Sequence, residues 1–143
     1  EEPFEYAEAV PTEEEIERNI LQRTKYTKIQ NMFLNAELRK SSVPRCKEDE
    51  KLPTKHRRHD IDIVRITVDP AGEGIGTEFF KRLLKVAKKH GKGVFIEQCI
   101  TEESQAWGAS LLRKGLVRGH DPAYFGGDVC NKTGFASFLS VWE

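Results

Sequence analysis

A chain of 143 residues with 38% hydrophobic and 32% charged residues can bury one ordinary core, which excludes both a disordered polymer and two full-sized domains. Lys and Arg (23) balance Asp and Glu (23), so no global field marks a nucleic-acid binder. The balance conceals an asymmetry: residues 1–17 carry eight carboxylates and no base, whereas residues 38–59 carry eight Lys or Arg with His56 and His59 against three acids.

Cys46, Cys99 and Cys130 are odd in number and form no CxxC pair, the usage of a reducing compartment, so a cytoplasmic protein is expected. No apolar stretch approaches the roughly 18 residues of a membrane span, and the acidic opening is unlike a signal peptide, so no membrane partner is expected. His56, His59 and Cys46 match no strong ligand spacing, and no metal is expected.

Taken in chain order, residues 1–12 read as an extended acidic arm. Thr12 followed by Glu15 is a capping box and predicts a helix from about Glu13. From there Ile16, Ile20, Leu21, Ile29, Met32, Phe33 and Leu38 roughly recur at three and four residues, an imperfect apolar stripe that predicts one helix, or two with a break near Tyr26. Residues 40–59, with Pro44 and Pro53 and most of the basic cluster, read as a loop suited to substrate contact.

IDIVRITV, residues 61–68, is rich in β-branched side chains and predicts a strand with Ile61, Ile63 and Arg65 on one face, ended by Pro70. The turn AGEGIG leads into TEFFKRLLKVAKKHG, where Phe79, Phe80, Leu83, Leu84 and Ala87 make a helical stripe that stops at Gly91. GVFIEQCI follows as a second strand. TEESQAWGASLLRKG is a further helix from Thr101 to Gly115, in which Trp107 reads as a packing residue. Two successive βα units predict neighbouring strands of one α/β sheet. The tail, with Tyr124, Phe125, Phe135, Phe138, Leu139 and Trp142, predicts a final hairpin turning at Gly126-Gly127 or at residues 132–134.

Gly72, Gly74 and Gly76 fall between a strand and a helix, where backbone N–H groups at a helix start can point at a phosphate. Thr77 adds a hydroxyl, and Lys81, Arg82 and Lys85 lie one or two turns on as sources of positive charge. The turn is not a Walker loop, since no GK[ST] follows, and Thr77 stands where a dinucleotide fingerprint has its last Gly or Ala. A plain tight turn between strand and helix is the alternative reading.

The run of strand, GEGIGT turn, helix, strand and helix over residues 61–117 resembles the coenzyme-binding core of the GNAT (GCN5-related N-acetyltransferase) superfamily, in which an [RQ]xxGxG turn holds acetyl-CoA. The resemblance implies an α/β fold, a GNAT-like mixed sheet flanked by helices, with an amino-terminal helix and a carboxy-terminal hairpin. It implies acetyl-CoA as co-substrate, with Gly72, Glu73, Gly74, Ile75, Gly76 and Thr77 at the pyrophosphate, Ile66 to Val68 along the pantetheine arm, and Ser104 from the second helix. Trp107 is then a candidate wall of the coenzyme groove. The activity implied is transfer of an acetyl group to an amine of a protein or small molecule. Glu97, on the second strand, is the candidate base, and Tyr124 the candidate acid, with His120 next. Cys99 shares a strand face with Glu97 and offers an acyl-cysteine route.

Four positions depart from the family pattern: Ala71 stands for Arg or Gln, Glu73 puts a carboxylate in the turn, Leu111 stands for a Tyr and Leu116 for an aromatic residue. Two alternatives share the scaffold. One is an enzyme that modifies nucleic acid, steered by residues 39–59; the other is a catalytically inactive interaction protein of GNAT fold.

Overall fold

A computed structural model describes residues 5–22, 24–41, 51, 53, 60–92, 94–96, 102–116, 118–119 and 135–137. Its secondary elements are a 3-10 turn at Ala7–Ala9, helix α1 (Glu13–Ile20), strands β1 (Tyr26–Gln30), β2 (Leu34–Ser41) and β3 (Asp60–Val68), helix α2 (Ile75–Lys89), β4 (Val94–Ile96), α3 (Glu102–Arg113), β5 (Arg118–Gly119) and β6 (Phe135–Ser137). The architecture is mixed α/β. Among the described residues six strands form one sheet in the order β1-β2-β3-β4-β6-β5, antiparallel except for the parallel pair β3/β4. Helix α2 is the crossover that a parallel pair requires. β5 pairs antiparallel with β6; the expected carboxy-terminal hairpin falls, apart from residues 135–137, outside the described residues.

The region after α1 departs from the helical expectation. The chain makes a β-hairpin here, because Asn31 organises a turn: its Oδ1 accepts from Phe33 N at 2.8 Å and from Leu34 N at 2.9 Å, and its backbone N–H donates to Leu34 O at 2.8 Å. With the turn fixed, alternation takes over, and Leu34, Ala36 and Leu38 are buried on one face of β2. Lys40 and Ser41 are strand residues as well, so the expected loop over 40–59 begins later, and its remainder lies almost entirely outside the described residues.

A bulge explains a second departure. Leu38 pairs with Ile63 but Glu37 pairs with Arg65, so Val64 is the extra residue on β3. The phase of β3 therefore shifts by one: Ile61 and Ile63 face the core before the bulge, and Ile66 and Val68 pack against the core after it. Arg65, expected beside Ile61 and Ile63, is instead turned to solvent and sits 3.9 Å from Glu37 across the strand pair.

The core lies between the sheet and helices α1 and α2. Ile16 and Ile20 are one helical turn apart on α1; Phe79, Phe80 and Leu83 on α2 are fully buried. Burying each such side chain contributes about 1.5–3 kcal/mol. Thr12 caps α1 as expected, its Oγ1 accepting from Glu15 N at 3.2 Å. Residues 5–11 do not extend away: Ala9, Val10 and Pro11 are buried, and Asn31 Nδ2 donates to Ala9 O at 2.6 Å. Among the described residues, no helix is long and apolar enough to cross a membrane.

Candidate functional site

The chain leaves β3 at Val68, passes through Asp69 and a cis peptide to Pro70, and reaches α2 over the turn Ala71-Gly72-Glu73-Gly74, all four of whose residues are exposed. Gly72 has φ 79° and Gly74 φ 86°, left-handed values that a side chain disfavours. Gly74 is the N-cap of α2 and offers no side chain to it. The amide of Glu78 is already satisfied, donating to Gly74 O at 2.9 Å. The amides of Ile75, Gly76 and Thr77 precede the first possible helical bond, and among the described residues they have no partner. Three donors therefore project together from the positive end of a 15-residue helix dipole, beside a glycine whose Cβ position at residue 72 meets nothing within 4 Å. Such an end accepts an anion with several acceptor oxygens.

Helix α3 braces this end. Trp107 Nε1 donates to Thr77 Oγ1 at 3.2 Å, the indole meets Phe80 edge-on with centroids 5.9 Å apart, and the Cβ position of Gly76 lies 3.5 Å from Trp107 Nε1. Gly76, with no side chain, lets the ring lie against the backbone of the first turn. Ile66 and Val68, expected along the pantetheine arm, are partly buried and pack against the core. The turn thus brings together Gly72, Glu73, Gly74, Ile75, Gly76 and Thr77 at the mouth of β3. Ser104 belongs to the first turn of α3, and its side chain lies outside the described residues. Glu97 and Tyr124, the candidate base and acid, lie outside them too, as do Cys99, His120, Cys46, His56 and His59.

Of the basic groups expected to serve the turn, Arg82 is engaged elsewhere. Arg82 Nη1 donates to Val10 O at 2.8 Å and to Pro11 O at 3.1 Å, Nη2 donates to Ala7 O at 3.2 Å, and Nε faces Glu78 Oε1 at 3.3 Å. It clasps the amino-terminal segment rather than a phosphate. Arg39 and Lys40, expected in a polymer-steering loop, are held in β2: Arg39 Nη2 lies 3.1 Å from the buried Asp62 Oδ2, and Lys40 Nζ donates to Gln22 O at 2.6 Å. Leu111, which stands where the resemblance would have a Tyr, is fully buried core and offers no acid.

The clasped segment borders the turn. Tyr6 packs 6.5 Å from Phe33, and burial first, then the nearby carboxylates of Glu5 and Glu73, hold its phenol above the usual range. Behind it an open groove of about 850 Å³ runs between the segment, α1 and α2, lined by Glu8, Glu13, Glu14, Glu78 and Arg82 among others. Among the described residues there is no group of three metal-ligating side chains. Comparison with protein-family models, with curated proteins and with solved structures gave no match.

Sequence reasoning singled out Trp107 and Arg82 but missed their partners, Thr77 and the carbonyls of Ala7, Val10 and Pro11. Trp107 sits five residues into α3 while Thr77 opens α2, and only the packing of two helices brings them together; no local pattern announces it.

Proposed function

We propose that the chain is an acetyl-CoA-dependent N-acyltransferase of GNAT type, moving an acetyl group to an amine of a protein or small molecule. The observation that carries this reading is the cluster of amides at Ile75, Gly76 and Thr77, without partners among the described residues, set by a left-handed Gly74 after β3. A diphosphate with its oxygens spread over several acceptors suits those amides, and the end of β3 at Ile66 to Val68 offers backbone to an extended pantetheine arm. The mixed sheet, with α2 crossing between parallel β3 and β4, agrees with a GNAT-like fold flanked by helices.

Chemistry then follows from what acyl transfer needs. A neutral amine attacks the thioester carbonyl, a C–N bond forms and the C–S bond breaks, and the departing thiolate takes a proton. Glu97 is placed by the resemblance to accept the proton of the incoming ammonium, and Tyr124 to protonate the thiolate.

A second reading is favoured by Ala71, Glu73 and the buried Leu111: a GNAT-fold interaction protein in which the acid is lost and the turn has no fixed positive side chain. Titration calorimetry of acetyl-CoA into the protein, with a transfer assay on amine acceptors, separates the two. Micromolar binding that Gly76→Asp abolishes in a variant with an unchanged circular dichroism spectrum supports the coenzyme site. Binding without transfer to any amine favours the interaction protein, and no binding by the wild type refutes the enzyme.

A further inference from the structure

We infer that the outer edge of β1 is a docking strand for an extended polypeptide segment with a carboxylate at its centre. The surface is apart from the glycine turn and independent of the coenzyme reading.

Hydrogen bonds at the two ends of the β1/β2 hairpin fix which backbone groups face outward. Asn31 N donates to Leu34 O at 2.8 Å, and Lys40 N donates to Lys25 O at 2.9 Å. Bonded pairs alternate along an antiparallel ladder, so Lys25, Thr27 and Ile29 turn their backbone groups to β2. Tyr26, Lys28 and Gln30 turn theirs the other way. β1 ends the strand order, and among the described residues nothing pairs with its outer side. Three N–H and three C=O groups stand in a row there, the pattern that an added strand completes.

Natural sheet edges are commonly blunted by a proline or a bulge. β1 has neither: YTKIQ holds no proline, and its register with β2 runs unbroken from Tyr26 opposite Arg39 to Gln30 opposite Asn35. Tyr26, Lys28 and Gln30 are all exposed. Apolar surface gathers at the same place. Among the described residues, the large hydrophobic side chains that are more than half exposed are Leu21, Tyr26 and Met32, which stand before, within and after this strand.

Charge selects the occupant. Lys28 is the middle residue of the edge, and its cross-strand neighbour Glu37 sits 3.9 Å from Arg65 instead. Among the described residues no carboxylate pairs with Lys28. Lys25 adds a second cation, 5.6 Å over the Tyr26 ring. A second copy in full antiparallel overlap would set Lys28 against Lys28 across the two-fold axis, a like-charge pair that destabilises a sheet. An incoming strand with Asp or Glu at that position makes an opposite-charge pair, and apolar residues two places to either side cover Tyr26.

The test is amide NMR with hydrogen exchange on the full chain, titrated with the synthetic peptide acetyl-Thr-Val-Thr-Glu-Thr-Val-Thr-amide, whose palindromic order suits either strand direction. The amides of Tyr26, Lys28 and Gln30 should gain protection, while those of Thr27 and Ile29, already bonded to β2, should not change. Replacing the peptide's Glu by Lys should weaken binding about twofold to fivefold, and Lys28→Glu should reverse that order. Lys28→Pro removes an outward N–H without touching the ladder to β2, and should weaken the Glu peptide about tenfold. Lys28→Glu keeps the backbone donor and carries the test alone should Lys28→Pro unfold. No response of the three amides at millimolar peptide overturns the inference, and so does a response that ignores the alternation. Equal binding of the two peptides overturns the acidic partner. Protection that rises with protein concentration in the absence of peptide would mark a second copy as the occupant and overturn it as well. None of these outcomes depends on whether acetyl-CoA binds.

Discussion

The two ends of α2 are built on opposite plans. At the carboxyl end the carbonyls are closed off: Lys92 N donates to Ala87 O at 2.9 Å and Gly91 N to Lys88 O at 3.1 Å, the paired bonds of a Schellman stop. Glu17 of α1 then reaches across, taking Lys89 Nζ and His90 Nε2 each at 2.8 Å. At the amino end a glycine occupies the N-cap, and among the described residues no side chain caps it and three amides are left over. Capping by Ser, Thr, Asp or Asn stabilises a helix by about 1 kcal/mol, so an uncapped end on the longest helix described forgoes stability that the rest of the chain takes. Thr12 shows that the same chain caps a helix where nothing else is needed. The contrast assigns the carboxyl end to structure and leaves the amino end free for a ligand.

The largest expected effect comes from breaking the flank of the open end. Arg82→Ala removes the donor to Ala7, Val10 and Pro11 carbonyls and leaves Glu78 without its cation. The loss expected in a urea melt is about 2–3 kcal/mol, since these bonds come from a charged donor to partly buried groups. Cleavage by a protease should appear within residues 5–11 well before the rest of the chain is cut. A variant that melts like the wild type and resists cleavage would mean that burial of Ala9 and Val10 holds the segment without the clasp.

A smaller effect sharpens the distinction between the two glycines of the turn. Gly74→Ala forces a Cβ onto a residue at φ 86° and should destabilise by about 1–2 kcal/mol. Gly76→Ala places its Cβ 3.5 Å from Trp107, an ordinary contact at a helical position, and should leave stability unchanged or slightly raised. If both alanines cost alike, Gly76 owes its identity to packing rather than to the approach of a ligand.

How much of this could be read from residues differs by element for physical reasons. Helices α2 and α3 and their stops at Gly91 and Gly115 were legible because apolar stripes at helical spacing ended on residues fit for a left-handed C-terminus. The glycine turn was legible because a strand and a helix stood directly on either side of it. The β1/β2 hairpin was not: Ile29, Met32 and Phe33 imitate a helical period, and its turn depends on the single side chain of Asn31 rather than on a glycine or proline. Nor was the bulge, since one extra residue at Val64 moves Arg65 to the far face without any mark in the sequence. Arg82 illustrates the general limit. Its place on the helix was correct, but its partners lie more than 70 residues away in the chain, and only folding decides whether a cation beside a phosphate turn faces the phosphate.

The smallest effect, and the most selective, concerns the closed end. Hydrogen bonds from Lys89 and then His90 hold the Glu17 carboxyl below its usual 4.5, while the bond to Glu17 holds the Lys89 ammonium above its usual 10.5. A depressed carboxylate stabilises the fold above its unfolded value, and that contribution disappears as pH falls through the folded one; a raised ammonium stabilises below its unfolded value and loses the contribution as pH rises through the folded one. Glu17→Gln should therefore lower Tm modestly between those limits, and the difference from the wild type should close toward strong acid. Coenzyme affinity at neutral pH should stay unchanged, because Glu17 sits at the opposite end of α2 from the amides. A Tm difference that persists below the folded carboxyl value would mean that Glu17 acts through packing. A loss of coenzyme affinity would show that the two ends of α2 are coupled rather than separately assigned.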